Sequence, residues 1–208
     1  MKPAEPGGGV DKRVVLLVAA MASFLTPFMG SSVNIALPSI GREFSTDAVT
    51  LSWITTAYLL AAAMFLVPLG RVADITGRRR VFLLGTIGYA VVSGLCAFAQ
   101  SEGMLIALRA LQGFTDAMMF GTSLAIVTSV YPPQQRGRAL GITVAAVYSG
   151  GALGPFVGGL MTQLAGWRSI FALTCVLGLI VVSLTLWKMR GEWAEARGQK
   201  MDYIGSLF

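Results

Sequence analysis

Residues 70–80 read Gly-Arg-Val-Ala-Asp-Ile-Thr-Gly-Arg-Arg-Arg and separate two long apolar stretches. Three consecutive arginines cannot lie in hydrocarbon, so the connection between the two stretches must stay at the membrane surface. Because the connection is short, the apolar stretches on either side are antiparallel neighbours that enter the membrane from one face. The positive-inside bias places this face in the cytoplasm.

The composition of the chain indicates a membrane protein. Hydrophobic residues make up 55% of the 208 residues and charged residues only 12%, whereas soluble domains carry about 25% charged residues. The net charge of +6 does not indicate nucleic-acid binding, because the basic residues are not gathered into a stripe with aromatic residues. We therefore expect the lipid bilayer, and no nucleic acid, as a partner.

Six apolar stretches are long enough to cross a bilayer, whose ~30 Å core needs about 20 residues per crossing. They cover residues 14–37, 51–69, 81–100, 103–131, 139–164 and 168–189. Six crossings put both termini on one side of the membrane. Thirteen of the 16 Lys and Arg residues fall on that side and two on the other, while Arg109 lies within a crossing. The sequence predicts an all-α integral membrane protein with both termini in the cytoplasm.

The two halves of the chain contain a weak internal repeat. Residues 29–35 echo residues 120–126, and residues 77–82 echo residues 166–171. Each unit holds three crossings, an odd number, so the second copy inserts upside down, as in inverted-repeat transporters. Chance similarity between helices rich in Gly and Ser is the alternative. The predicted division is a cytoplasmic N-terminal tail at 1–13, a six-helix bundle at 14–190 with inverted repeats at about 14–100 and 103–190, and a cytoplasmic linker with the start of a further helix at 191–208.

The pattern Gly-x-x-x-Asp-x-x-Gly-Arg-Arg at residues 70–79 resembles the loop between the second and third helices of major facilitator superfamily transporters. In that family the loop contacts a second six-helix half and helps to hold the outward-facing state. We name residues 70–80 the gating segment. The family's basic residue after the Asp is here Ile75, so one contact is missing, and a topology signal without a gating role is the alternative. The residues carried over are Gly70, Asp74, Gly77, Arg78 and Arg79.

Polar residues inside the fourth crossing are candidates for proton coupling. Arg109, Gln112 and Asp116 lie at i, i+3 and i+7 and share one stripe of a helix. Arg or Asp at a helix centre costs about 2.5–3.5 kcal/mol, so both should face a cavity or a partner rather than lipid. Burial and a nearby arginine shift the pKa of a carboxyl such as that of Asp116 in opposite directions. This balance suits a group that exchanges protons.

The run Leu105-x-x-x-Arg109-x-x-Gln112-Gly113 resembles the family's fourth-helix motif, whose Arg is associated with proton transfer in drug:proton antiporters. Asp116 stands outside this motif and inherits no role from it. The alternative is that Asp116 only neutralises Arg109 or another polar group. Seven residues span about 10 Å along a helix, which leaves direct contact between the two charges open.

The fifth crossing carries Gly150-x-x-x-Gly154-Pro155-x-x-Gly158-Gly159, which matches the pattern called the antiporter motif. Gly150, Gly154 and Gly158 form a smooth face on which a neighbouring helix can pack closely. Pro155 removes one backbone hydrogen bond and favours a kink. A generic packing face is the alternative, although the added Pro and the paired Gly resemble efflux antiporters.

Residues 29–38 in the first crossing resemble the segment characteristic of the fourteen-span drug:proton antiporters, which usually have Asp where this chain has Gly30. Thr26, Gly30 and Asn34 form a small polar stripe that lines a cavity or, alternatively, packs helices together by hydrogen bonds. Large side chains such as Trp53 and Tyr58 fit a poly-specific cavity, but most such residues on membrane helices face lipid or a neighbouring helix.

The resemblance implies the N-terminal six-helix half of a drug:proton antiporter of the inner (plasma) membrane. Such a protein uses the proton gradient to export amphipathic or cationic drug-like compounds by alternating access. Its expected partners are a small amphipathic substrate and a second six-helix half, or a second copy of this chain. No cofactor, metal or enzymatic activity is expected. The alternatives are a solute symporter or uniporter, and a truncated, non-transporting half that needs a partner.

Overall fold

The structure is a computed structural model that describes residues 11–189, and this part of the chain forms six α-helices. All six are long and apolar enough to cross a membrane, which confirms the six predicted crossings. The predicted linker and further helix at 191–208 lie outside the described residues, as do residues 1–10. The helices are α1 (Lys12–Phe44), α2 (Ala48–Thr76), α3 (Arg78–Ala97), α4 (Glu102–Val130), α5 (Pro133–Ala165) and α6 (Arg168–Lys188).

Several helices extend beyond the apolar stretches that predicted them. α1 begins at Lys12, inside the predicted tail, and continues through Pro38 to Phe44. α2 continues to Thr76, so most of the gating segment is helical rather than a loop. Hydropathy marks where a helix enters hydrocarbon, but the backbone hydrogen bonds continue into the interface until a residue stops them.

The helix ends carry specific stop and start signals. Asp47 begins α2 as an N-cap, because its Oδ1 accepts hydrogen bonds from the backbone N–H groups of Thr50 and Val49. The backbone N–H of Thr50, the Thr50 hydroxyl and the Val49 N–H hold the pKa of Asp47 below its ordinary value. Gly77 and Gly166 have φ of 120° and 79°, a region that L side chains rarely adopt.

The helices form two triplets, α1–α3 and α4–α6, and each triplet packs its main contacts against the other. α1 packs most extensively on α5, and α4 packs most extensively on α2. The first helix of each triplet thus lies against the second helix of the other, while α3 and α6 pack on each other. This reciprocal pairing is what two inverted three-helix repeats require.

Two large apolar clusters, with a smaller third that contains Val127, fill the described part of the bundle. One contains Met29, Ile40 and Phe171, and the other contains Leu25 and Met119. Cys96 is fully buried in α3 and free, as expected for a cysteine that serves as a small apolar residue. α2 and α5 are the least covered of the six helices, so each keeps a long apolar face turned away from the bundle.

Candidate functional site

The carboxylate of Asp116 is held by hydroxyl groups from two other helices. Thr26 on α1 donates its hydroxyl to Oδ1 at 2.6 Å. Tyr58 on α2 donates its phenol to Oδ2 at 2.9 Å. Asp116 is only 3% exposed, so this site joins three helices deep within the bundle.

Arg109 is fully buried two turns before Asp116 on α4. Its Nε donates to the backbone carbonyl of Ile54 at 3.1 Å, and its Nη1 donates to Oε1 of Gln112. The guanidinium lies 4.1 Å from the centroid of the Tyr58 ring, within the range of a cation–π interaction. Its Nη2 has no hydrogen-bond partner among residues 11–189.

Tyr58 therefore lies between the two buried charges. Its ring faces Arg109 and its hydroxyl binds Asp116, and within the described residues the two charges form no ion pair with each other. The structure thus answers the question of direct contact that the sequence left open. We name Thr26, Tyr58, Arg109, Gln112 and Asp116 the buried polar cluster.

The predicted triad of Arg109, Gln112 and Asp116 is only partly brought together. Gln112 does not bind Asp116 but turns towards α3, where its Nε2 donates to Oγ of Ser93 at 2.7 Å. Sequence reasoning missed Ser93 and treated Tyr58 only as a bulky residue. One general rule could have pointed to Tyr58: a phenol within an apolar helix needs a hydrogen-bond partner when it is buried.

The polar stripe on α1 changes its surroundings along the helix. Thr26 reaches the buried carboxylate, as described above, whereas Oδ1 of Asn34 is exposed and accepts from the hydroxyl of Thr55 at 3.0 Å. Between them, a side chain added at Gly30 would meet nothing within 4 Å. The stripe therefore runs from the protein interior to an open surface shared by α1 and α2.

Glycines of the antiporter motif make the contact between α5 and α1. A Cβ added at Gly150 would collide with the carbonyl oxygen of Phe24, and one at Gly154 would collide with Oγ of Ser31. A Cβ at Gly158 would come within 2.7 Å of the Cα of Ser32. The backbones are thus too close for any side chain at these three positions.

The other two motif residues do not share this tight contact. A Cβ at Gly159 would meet Ile35 at an ordinary 3.6 Å, and Pro155 is exposed. Pro155 lies inside α5 without ending it. Across the interface, the Ser32 hydroxyl donates to the carbonyl of Gly154 at 3.0 Å, so one hydrogen bond ties the two helices at their closest approach.

The gating segment forms an ion pair within this bundle. Arg78 donates through Nε to Oδ1 of Asp74 at 2.8 Å, and its Nη1 reaches the Ala125 carbonyl and the Ser129 hydroxyl near the end of α4. Asp74 lies in the last turn of α2, and Gly77 alone separates α2 from α3. The chain turns sharply at Gly77, whose positive φ suits glycine.

The remaining gating residues have different surroundings. Nε of Arg79 donates to the carbonyl of Met189 at 2.6 Å, which connects α3 to the end of α6. Gly70 lies within α2, and a Cβ added there would meet nothing within 4 Å. Asp74 and Arg78 therefore form one contact unit across the turn at Gly77.

A second ion pair occupies the opposite end of the bundle, and sequence reasoning missed it. Arg168 binds Glu43 through Nη1 and the Ala99 carbonyl through Nη2 at 2.8 Å. Trp167 donates its indole N–H to Glu43 at 2.7 Å. This group follows Gly166, whose φ is positive like that of Gly77, so the internal repeat offered the signal that could have found it.

Comparison with known proteins gives concordant matches. The sequence model of the major facilitator superfamily matches residues 19–201. The chain is 32% identical over 197 residues to riboflavin transporter RibZ of Clostridioides difficile, covering 95% of this chain and 43% of that protein. It is 34% identical over 195 residues to multidrug resistance protein Stp of Mycobacterium tuberculosis H37Rv, covering 93% of this chain and 36% of that protein.

A third relative is the multidrug efflux pump LfrA of Mycolicibacterium smegmatis. It is 36% identical to this chain over 172 residues, which are 81% of this chain and 34% of that protein. The chain thus spans less than half the length of each of these relatives.

Proposed function

Because this chain belongs to the major facilitator superfamily and corresponds to the N-terminal six-helix half of its fold, we propose that it serves proton-coupled export of amphipathic or cationic compounds by alternating access. The observation that carries the proposal is the buried carboxylate of Asp116, held by two hydroxyl groups and without an ion-pair partner among residues 11–189. A buried carboxylate of this kind in a membrane helix is by default a candidate functional site.

Proton exchange at Asp116 changes what α1 and α2 bind. The ionised carboxylate accepts from Thr26 and Tyr58 at once, whereas a protonated carboxyl needs one of its own oxygens as a donor. Uptake of a proton removes the negative charge that strengthens both hydrogen bonds, and therefore weakens the contacts of α4 with α1 and α2. A proton that binds one arrangement of the helices more tightly than another shifts the population between them.

Arg109 and Gln112 hold the other side of this site. Arg109 keeps a positive charge against the Tyr58 ring, so the phenol is fixed between a cation and the carboxylate. Its Nη2, which has no partner in the described part of the chain, leaves one donor for a water molecule on a proton path. Gln112 anchors Arg109 to α3 through Ser93.

The substrate class rests on the relatives and on the open stripe. The names of Stp and LfrA state multidrug resistance and multidrug efflux. In this proposal, Gly30 and Asn34 face the substrate pathway on the open surface beside Thr26, and α2 and α5 offer apolar faces for an amphipathic compound. A second six-helix half, or a second copy of this chain, encloses the pathway, and Asp74, Arg78 and Arg79 act with it as the cytoplasmic gate.

The proposed setting is the inner (plasma) membrane, with both termini in the cytoplasm. In this proposal the chain is divided into a cytoplasmic N-terminal tail at 1–13, a six-helix bundle at 14–190 and a cytoplasmic linker with the start of a further helix at 191–208. The proton gradient supplies the energy, and neither a cofactor nor an enzymatic step is part of the mechanism. Gly150, Gly154 and Gly158 of the antiporter motif hold α5 on α1 while the half moves as one body.

Transport by everted membrane vesicles that contain the full chain tests the proposal. We expect ethidium, a fluorescent amphipathic cation, to accumulate when the vesicle interior is acidic and to stop accumulating when a protonophore is added. Asp116→Asn should abolish the protonophore-sensitive part. Asp47→Asn is the matched control, because Asn is as good an N-cap as Asp and Asp47 is exposed at a helix start. Ethidium uptake that is unchanged by the protonophore would contradict proton coupling.

Two other functions are favoured by specific observations. RibZ, whose name states riboflavin transport, favours a solute symporter or uniporter, and transport of a neutral solute without proton dependence would support it. The share of each relative that the chain covers favours a half that needs a partner. In that case the chain alone transports nothing, and co-expression with a second six-helix half restores uptake.

A further inference from the structure

A polar cavity of about 740 Å³ opens at the end of the bundle where α1 and α5 begin and α4 ends. Its size lies within the range of ligand pockets, roughly 300–1,000 Å³. Tyr131 forms part of the wall and ties it together, because its hydroxyl donates to the carbonyl of Lys12 at 3.0 Å. Leu16 in the cavity wall lies about 15 Å along α1 from Thr26 of the buried polar cluster, and the mechanism described above does not use the cavity.

Basic side chains dominate the mouth of this cavity. Lys12 and Arg13 from α1 and Arg138 from α5 line it, and Asp11 is the one acidic residue among its lining residues. Asp11 is already engaged, since its Oδ1 accepts from the backbone N–H of Arg13 at 2.9 Å as the cap of α1. Within residues 11–189, neither Lys12 nor Arg138 forms an ion pair. The cavity therefore carries an excess of positive charge that has no internal partner in this part of the chain.

The helix geometry adds to this charge. α1 and α5 both begin at the cavity, so the partial positive charge of two helix N-termini points into it. α5 begins at Pro133 without a side-chain cap on its first N–H groups. Gln135 lines the same wall. An anion at this position thus meets the positive ends of both helix dipoles as well as the basic side chains.

The deeper part of the cavity is apolar. Leu16 on α1 and Ala139 and Ile142 on α5 line it one turn further into the membrane. Ile142 is 44% exposed and follows Arg138 at i+4, so the two lie on one face of α5. A basic mouth at the helix ends above an apolar wall fits an amphiphile whose charge is at the membrane surface.

We propose that this cavity binds the phosphate of an anionic phospholipid, with Lys12 and Arg138 as the principal charge contacts and Leu16 and Ile142 along the first part of an acyl chain. Basic pockets between membrane helices are where anionic headgroups bind. A soluble phosphate ion would use the basic mouth but would gain nothing from the apolar wall. The apolar wall is the observation that favours a lipid over a soluble anion.

Native mass spectrometry of the full chain, purified in a neutral detergent, tests the proposal. Phosphatidylglycerol or phosphatidylcholine is titrated onto the protein and bound copies are counted. We expect one phosphatidylglycerol to bind more tightly than phosphatidylcholine. In Lys12→Gln/Arg138→Gln its affinity should fall by about 30-fold, the loss expected for two basic residues near a headgroup. Arg42→Gln/Lys188→Gln, which removes two exposed cations outside the cavity, should leave the affinity within about twofold of the starting protein.

Three results would overturn the proposal. The first is an unchanged phosphatidylglycerol affinity in Lys12→Gln/Arg138→Gln, provided that this variant keeps the thermal midpoint of the unmodified protein. The second is an equal loss in the control variant, which would show attraction by net charge alone. The third is displacement of the lipid by an equal concentration of inorganic phosphate, which would identify a soluble-anion site. If the double variant proves unstable, Ile142→Gln tests the acyl contact instead, and unchanged lipid affinity there again contradicts the proposal.

Discussion

One phenol separates two buried charges in this bundle. Tyr58 presents its ring to Arg109 and its hydroxyl to Asp116, and both charges are at least 97% buried. If Arg109 and Asp116 were in direct contact, each would neutralise the other and neither would need to exchange a proton. The intervening phenol keeps the carboxylate dependent on neutral donors, Tyr58 and Thr26, and leaves the arginine dependent on Gln112 and a backbone carbonyl.

Replacement of Tyr58 by Phe isolates the contribution of this hydroxyl. The ring remains against Arg109, but Asp116 loses one of its two donors in a site that bulk water does not reach. We expect the free energy of unfolding to fall by about 1–3 kcal/mol, the usual cost of an unsatisfied buried group. Denaturant titration in detergent micelles measures it.

The matched control for this prediction is Tyr148→Phe. Tyr148 is 75% exposed on α5, so the same chemical change should alter the free energy of unfolding by less than about 0.5 kcal/mol. Equal effects of the two replacements would show that the phenol of Tyr58 does not carry a specific hydrogen bond.

At the level of helices, the interface between α1 and α5 depends on the absence of side chains. Gly154 and Gly151 lie one turn apart on α5, and both are close to α1. A Cβ at Gly154 would collide with Ser31, whereas one at Gly151 would meet only the Cβ of Pro27 at 3.9 Å. Close contact with α1 thus requires glycine at position 154 of the antiporter motif, whereas the neighbouring Gly151 has room for a side chain.

Alanine at these two positions should have opposite effects. Gly154→Ala forces α1 and α5 apart, and we expect it to destabilise the protein by about 1–3 kcal/mol, the range for overpacked cores. Gly151→Ala adds a methyl group in ordinary contact and should be neutral or stabilise by up to about 1 kcal/mol, because Ala is the better helix former. Unfolding midpoints of the two variants, compared in the same detergent, decide the point.

The junction between α2 and α3 offers a second test at this level. Gly77 is the one residue between the two helices and has φ of 120°, so Gly77→Ala should cost about 1–3 kcal/mol in backbone strain. Gly70→Ala, in the same gating segment but within α2, meets nothing within 4 Å and should be tolerated. Thermal unfolding of both variants gives the comparison; equal midpoints would contradict a strained turn at Gly77.

At the level of the whole molecule, each ion pair braces one end of the bundle. Arg78 ties the junction of α2 and α3 to α4, and Arg168 ties the start of α6 to the end of α1 through Glu43. Since α1 and α4 occupy equivalent places in the two triplets, the same device occurs twice, upside down. The predicted orientation places the Arg78 group in the cytoplasm and the Arg168 group outside.

This orientation can be tested with introduced cysteines. Ala48 and Gln134 are exposed residues in the first turns of α2 and α5, at opposite ends of the bundle. In intact cells, a membrane-impermeant maleimide should label Ala48→Cys and leave Gln134→Cys unlabelled until the membrane is opened. Cys96 is buried, and replacing Cys175 by Ala gives a clean background. The reverse labelling pattern would show that the termini face outwards.

The sequence was a good guide to what depends on hydropathy and a poor guide to what depends on a distant neighbour. Six crossings follow from six apolar stretches, and the close-packed glycines of α5 follow from their spacing. Helix ends were misplaced because α1 and α2 continue past the apolar residues. The contacts of Tyr58 with Asp116 and of Glu43 with Arg168 join residues 58 and 125 positions apart, which no local pattern reports.

The exchange of partners between the two triplets has a consequence for how the protein is made. About 125 residues separate Phe24 on α1 from Gly150 on α5, and synthesis at roughly 5–20 residues per second takes about 6–25 s to cover them. During that time α1 is in the membrane without its principal neighbour, and its small polar residues face lipid or the insertion machinery. The interface between α1 and α5 therefore forms late in synthesis, after α5 and its glycine face have been inserted.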